Sequence, residues 1–398
     1  MTFWKVFKDT LVHGLKNRDT FALFALAVVG YLIFYAWPYL NQSITNIPVA
    51  VVDLDRSSTS RHLIQELDAA PAVNLHFVTD EVSVGKEALL NNKVAVVITI
   101  DRGYEKSMAL GENAPIEVTS NGAYPVKGRA VHAALAGVVT SPNRVLDQAA
   151  VLGTGTNETL LLKEEHQAPG LVTNYRFNEI GGYANYTVPI IAPVIIQAVL
   201  LMAISLSLGG WLVQKPRIPF VESALRYPIR LGLAMVFAFW VMGFVWFLYT
   251  EGFDFWFYQF GSMENPLAVL FIGTLYVLAI TLMGLAITLM MGSNAYTSQA
   301  VVMISAPASF IAGTIWPIQN ITNPWVYGIA QLIPSTPTIR GLVAVSQDGA
   351  SMARLTWPAL QLLCLCVAYA LLAWYFAQKH RAALVAPEAL TPSLKPKS

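Results

Sequence analysis

From Asn265 to Ile339 the chain has no Asp, Glu, Lys, Arg or His. Over all 398 residues, 12% are charged and 55% are hydrophobic, against about 25% charged in average soluble domains. That deficit excludes an ordinary water-soluble protein and identifies an integral membrane protein. Cysteine is scarce as well. The two present, Cys364 and Cys366, share one apolar run. On a helix they point about 200° apart, so they form neither a disulfide nor a zinc pair, and apolar packing is their expected role. A net charge of +1 offers no field for nucleic acid.

Sequence motifs for chemistry are missing too. There is no Gly-x-x-x-x-Gly-Lys-Ser/Thr phosphate loop, no His-Glu-x-x-His, no Gly-x-Ser-x-Gly and no Gly-x-Gly-x-x-Gly. His62, His76 and His132 are isolated and carry no ligand pattern. Asp53 and Asp55 alternate along a strand, which puts them on one face, but no third acid or histidine accompanies them. They read as a solvated strand end with turn chemistry. The expected membrane spans hold no charge, although a central charge costs about 2.5–3.5 kcal/mol on insertion scales and is usually kept for function. This argues against a proton-coupled carrier, a channel with a charged ring or an intramembrane acid–base enzyme. If the protein moves something, the energy comes from a partner.

What is present is a series of spans around one large insert. Residues 1–20 form an amphipathic helix, with Phe3, Trp4, Phe7, Leu11 and Leu15 on one stripe, suited to the membrane interface. A plain basic flank is the alternative. Residues 21–40 are the first span; Trp37-Pro-Tyr-Leu40 follows the apolar core where a signal peptide would have small residues. Residues 41–182 are an insert of domain size. Strand-like runs at Ile47–Val52, Val73–Val78, Lys93–Ile100 and Pro115–Ser120 alternate with helical patterns at Ser60–Ala69, Glu81–Asn91 and Arg102–Leu110. Asp80 and Asp101 are candidate caps for the last two, and Gly111 a stop. A long helix-compatible stretch, Val126–Glu165, follows. The alternation predicts an α/β or α+β domain.

Residues 183–213 hold the second span, with Pro189 and Pro193 predicting a kinked or broken start. Residues 214–230 form a short basic loop. Within 231–378 lie the third span Leu231–Thr250, an acidic loop Glu251–Asn265, spans at Pro266–Met291 and Gln299–Pro317, a re-entrant region at 318–340 and a sixth span at Trp357–Gln378. Ile318–Pro337 of this region is uncharged, aromatic and broken by Pro324, Pro334 and Pro337. Irregular backbone at that depth survives only against protein or water; an uncharged surface loop is the alternative. Residues 379–398 are a basic tail, expected to be disordered beyond Arg381. Arg340, Asp348 and Arg354 form the only charged group between the re-entrant region and the sixth span, and read as a solvated outer loop. Six spans put the three basic flanks on one side, as the positive-inside rule requires. Both termini are then cytoplasmic and the insert extracytoplasmic.

Three stretches carry a resemblance. Tyr183–Gln197 looks like the start of a second span, Phe220–Arg230 contains Glu222, Leu225 and Pro228 in a Glu-x-x-Leu-x-x-Pro element, and Pro307, Gly313, Pro317, Pro334 and Arg340 mark a fifth span and outer re-entrant region. With the layout, they make the chain resemble the permease subunit of an ABC exporter of the type-2 membrane family, in the subgroup associated with drugs and other hydrophobic compounds. The family's acidic–basic run and Gly-Thr before that element are replaced here by Lys215-Pro-Arg-Ile-Pro-Phe220.

The resemblance implies a polytopic α-helical membrane protein with six transmembrane helices and an extracytoplasmic domain between the first and second. It implies an ATPase-coupling segment at Lys215, Arg217, Glu222, Leu225, Arg226, Pro228 and Arg230, with ordinary charge at a membrane edge as the alternative for Glu222 and Arg226. It implies no cofactor in this chain, ATP and Mg being bound by an ABC ATPase dimer. Further partners would be a second permease copy or paralogue, and possible periplasmic adaptor and outer-membrane channel, at a bacterial inner membrane. The rival readings are a membrane-anchored sensor or receptor (a phage-receptor-like protein included) and a membrane enzyme handling lipid-linked sugars.

Overall fold

The computed structural model describes residues 1–30, 37, 44–110, 114, 116–122, 125–139, 183–214, 218–258, 265–292, 301, 307, 310–314, 318–346 and 352–385. The chain divides into two units, Met1–Leu40 with Arg176–Ser398, and Asn41–Tyr175.

Helix α1 (Phe3–Lys16) and helix α2 (Arg18–Val29) meet at Asn17, whose side chain accepts from the N–H groups of Asp19 and Thr20. That cap lets one helix stop and the next start without orphan donors. The apolar stripe of α1 does not all face outward. Val6, Thr10 and Gly14 are buried, and Phe3, Phe7 and Leu11 pack on the helical core, leaving Trp4 and Leu15 exposed. Small residues at 10 and 14 permit the approach. The Thr10 hydroxyl returns to the Val6 carbonyl at 2.8 Å.

The inserted unit is a four-stranded mixed sheet in the order β2-β1-β3-β4. Its strands are β1 (Ile47–Asp53), β2 (Val73–Thr79), β3 (Val96–Ile100) and β4 (Ile116–Ser120). The pairs β1–β2 and β1–β3 are parallel, and β3–β4 is antiparallel. The β-branched runs suit a pleated surface buried on both faces. Alternate residues of β1 serve different layers. Val49 and Val51 pack with Leu63 and Leu67 of α3 (Ser58–Asp68), while Ala50 and Val52 pack with Ala88 of α4 (Val82–Leu90). At Gly85 of α4, a Cβ would lie 2.8 Å from Val52 Cγ2, so glycine there sets the helix-to-sheet spacing. Val131 and Leu135 of α6 (Pro125–Val139) join the α3 side.

Turn chemistry at the end of β1 is less solvated than its sequence suggests. Asp53 is buried and accepts from Ser60 Oγ at 2.8 Å and the Arg56 N–H at 2.9 Å. Neither Asp80 nor Asp101 caps a helix. Helix α4 starts after Glu81, and Asp80 pairs with Arg56 instead. The start of α5 (Tyr104–Leu110) is held from another loop, with Asp55 accepting from the N–H groups of Gly103 at 2.7 Å and Glu105 at 3.0 Å. Glu105 returns the favour to α3, accepting from the hydroxyls of Ser58 and Thr59 at 2.6 and 2.9 Å. A cross-chain partner outcompetes the local cap because it satisfies two helix starts at once. Gly111 and most of the long stretch after Val139 lie outside the described residues.

Helix α7 (Tyr183–Val213) runs continuously through Pro189 and Pro193, so the start expected to be kinked or broken is not broken. A neighbouring helix supports it there, the Tyr276 hydroxyl donating to the Pro193 carbonyl, as partners do for prolines in membrane helices. After α7 come the short α8 (Pro219–Arg226), a π turn at Pro228–Gly232, α9 (Leu233–Leu248), a second π turn at Tyr249–Phe253 and α10 (Asp254–Tyr258). Helix α11 (Pro266–Met291) is central, packing on α7, α9 and α14 (Thr356–Val385). Gly273 of α11 faces the ring of Phe247, and at Gly284 a Cβ would meet Ile204 Cδ1 at 2.8 Å. Small residues allow such close helix contacts.

Among the described residues four helical runs are long and apolar enough to cross a membrane: Ile190–Val213, Pro228–Tyr258, Pro266–Met291 and Met352–Ala382. Most of the second half of the expected first span, and most of the expected fifth, lie outside the described residues. Helix α14 continues beyond Lys379-His-Arg381 to Val385, so the start of the expected tail is helical.

The loop lock makes the inserted unit acid-sensitive. Burial pushes the Asp55 carboxyl up, but hydrogen bonds from Ser57 and the N–H groups of Glu105, Gly103 and Tyr104 bring it below its ordinary 3.8. Glu105 is held below 4.5, chiefly by Ser58 and Thr59. Depressed carboxylates contribute stability that is present above their unfolded values and lost as pH falls through the folded ones. Amide protection of β1 and α3, corrected for intrinsic exchange, should therefore be flat above about pH 5 and fall below about pH 4. Asp55→Asn should lower protection at pH 7 and flatten the acid decline; an unchanged profile would remove the lock from the account.

Candidate functional site

Two places in the helical unit gather the residues that the motifs point to. The first is α8. Its start at Pro219 fits the first helical turn, where a missing N–H costs nothing. Phe220, Val221, Ala224 and Leu225 are buried. Phe220 meets the Trp211 ring edge-on at 5.1 Å between centroids, and the His13 ring lies 5.0 Å away. The other face carries the Glu222–Arg226 pair, N to O 3.2 Å, followed by exposed Tyr227, Ile229 and Arg230. An exposed pair at this spacing adds only about 0.3–0.5 kcal/mol, so its position matters more than its stability. Of the expected coupling residues, Glu222, Arg226 and Arg230 share this outward region. Leu225 is turned into the core and Pro228 opens the π turn. Lys215 and Arg217 lie outside the described residues.

The second place is the segment expected to be re-entrant. It is mostly helical rather than irregular. A short 3-10 turn at Ile318–Asn320 leads to α12 (Pro324–Gln331) and then α13 (Ser335–Ser346), with the break at Leu332–Pro334. Asn323 caps α12, its Oδ1 accepting from Trp325 N–H at 2.9 Å. Buried Gln197 of α7 receives the Ser335 N–H at 3.1 Å, tying the start of α13 to the bundle.

Arg340 is not part of a solvated loop. It is half-buried on α13 and donates to the side-chain carbonyl oxygens of Gln331, at 3.1 Å, and Gln361. Gln361 in turn donates to the Gln331 carbonyl at 2.8 Å, and Tyr369 donates to the Leu332 carbonyl at 2.6 Å. One cation and three glutamines thus clasp α12, α13, α14 and α7 together. Pro334 sits buried at the turn of this clasp, and Gly313 has a φ of +100°, which suits glycine. Pro307 is exposed, and Pro317 lies outside the described residues.

The expected acidic loop after the third span is another correction. Glu251 is 3% exposed and Asp254 is fully buried, both within the helical run Pro228–Tyr258. The π turn at Tyr249–Phe253 inserts a residue and rotates the following turn inward. Glu251 Oε1 and both Asp254 carboxylate oxygens have no hydrogen-bond partner among the described residues. The candidate run Pro228–Tyr258 thus carries two buried acids in its last third, directly beyond the expected third span Leu231–Thr250, which itself holds none. The legible signal was the i, i+3 spacing of the two acids directly after an apolar run.

These features define a multi-pass helical membrane protein with an inserted α/β unit. The chain belongs to the ABC-2 family of transporter proteins, whose family model matches residues 19–375. Members are membrane components that act with an ATPase subunit and are not themselves catalytic. No curated protein matches the chain.

The clasp yields a direct test. Gln361→Leu leaves Arg340 and Gln331 short of partners, at a cost of about 1–3 kcal/mol. Amide exchange in α12 and α13 should rise while the sheet of the inserted unit stays protected; equal exchange in both regions would contradict the clasp.

Proposed function

We propose that the chain is the permease of an ATP-driven exporter that moves hydrophobic or amphipathic small molecules out across a bacterial inner membrane. Its partners are an ABC ATPase dimer and a second permease, either a copy or a paralogue, and its route outward can extend through a periplasmic adaptor and an outer-membrane channel. The family membership supports the permease role. The apolar character of the spans supports a hydrophobic cargo. The basic flanks around 214–230 and 379–381 support cytoplasmic termini and an outer location for the inserted unit.

The observation that carries the mechanism is α8. It is a short helix with its apolar face locked into the bundle and its Glu222–Arg226 face outward. A lever needs such a two-sided construction: the outer face meets the motor and the inner face passes the displacement to α7 and α9. ATP-driven closure of the ATPase pair would shift one permease against the other as packed bodies. The clasp at Arg340 would hold the opposite segment, α12–α13, as the gate.

Replacing Glu222 with Lys reverses the outward charge and breaks the pair with Arg226. Association with the co-expressed ATPase should weaken about tenfold or more, with ATP-dependent transport lost and the permease still folded. Normal association and normal transport in this variant would place the motor contact elsewhere.

A further inference from the structure

A cavity of about 240 Å³ opens beside α8. All four candidate spans line it, through Leu208, Leu233, Leu285 and Trp374 among others, and Ile229 and Ala377 belong to the lining too. Every lining residue is apolar or glycine. The next residue after Ile229 is Arg230, and Lys379 and Arg381 follow Ala377 on α14. All three cations are exposed. Lys379 lies over the rings of Tyr375 and Phe376, and Arg381 donates to Gln378. Arg230 has no ion pair among the described residues, since Glu222 is taken by Arg226. An apolar slot between spans, next in sequence to an exposed Arg230 that has no ion pair among the described residues, matches one molecule that a bilayer always supplies.

We infer that this cavity binds an anionic glycerophospholipid, with one acyl chain between α7, α9, α11 and α14 and its phosphate at Arg230. The apolar walls exclude a polar ligand, because a buried polar group without a hydrogen bond is costly. The rim selects the headgroup by charge, as basic pockets between membrane helices do. A lipid here fills the space behind α8 and stiffens its seat. The inference needs only that the bundle spans a membrane and does not depend on α8 meeting an ATPase.

The test uses the full chain in nanodiscs of equal phosphatidylglycerol and phosphatidylcholine, followed by native mass spectrometry. One phosphatidylglycerol should remain bound per chain. Arg230→Gln should lower its retention about fivefold, the effect of about one cation near a headgroup. Ala373→Trp, which fills the cavity from α14, should abolish retention. Arg230 is exposed, so its variant reports even if the tryptophan variant fails to fold. Equal retention of phosphatidylcholine, or unchanged retention in Arg230→Gln, would overturn the inference. Disulfide cross-linking of two Ile229→Cys chains with no lipid retained would overturn it too, because a second copy would then cover the cavity.

Discussion

Phe220 sits between the rings of Trp211 and His13 and fastens α8 to the helical bundle. Burying a phenylalanine side chain contributes about 1.5–3 kcal/mol, several times the worth of the Glu222–Arg226 pair on the opposite face. The apolar underside thus decides where α8 lies, and the charged side is left free to choose a partner. Without that anchorage the segment between α7 and α9 would be a flexible connection, unable to carry displacement into the spans.

The rest of the bundle is packed closely around that anchorage. Gly273 and Gly284 bring α11 close to α9 and α7, and close-packed interiors transmit strain rather than absorb it. The uncharged stretch from Asn265 to Ile339 contributes α11 at its start and α12 and the first part of α13 at its end. Its polar side-chain groups are amides, hydroxyls and indoles, and the cation that follows, Arg340, is held by glutamine carbonyls instead of a carboxylate. Neutral partners hold Arg340 in place without an ion pair among the described residues.

Much of this was legible in the residues. The sheet followed from β-branched runs separated by amphipathic stretches, and α11 from an apolar run between Pro266 and Gly292. The buried face of α8 does not belong to that part: 214–230 reads as a basic loop, although Phe220, Val221, Ala224 and Leu225 stand at helical spacing. Other features depend on partners distant in sequence. Asp55 holds the start of α5 and Glu105 the start of α3, each across about 50 residues, so local capping rules favoured Asp80 and Asp101. Leu225 matches a family motif, yet the side chain is core. Glu251 and Asp254 look like a loop because acids after an apolar run read as its end, although their i, i+3 spacing is helical.

The central claim is that α8 works as a seated lever. The most direct measurement is the coupling of transport to ATP hydrolysis in the reconstituted complex carrying Phe220→Ala, which loosens the seat and leaves the Glu222–Arg226 face intact. The account predicts that the ATPase stays bound and keeps hydrolysing ATP while cargo moved per ATP falls about tenfold or more, since such a truncation costs roughly 3–5 kcal/mol of packing. Cargo moved per ATP at the wild-type level would contradict it.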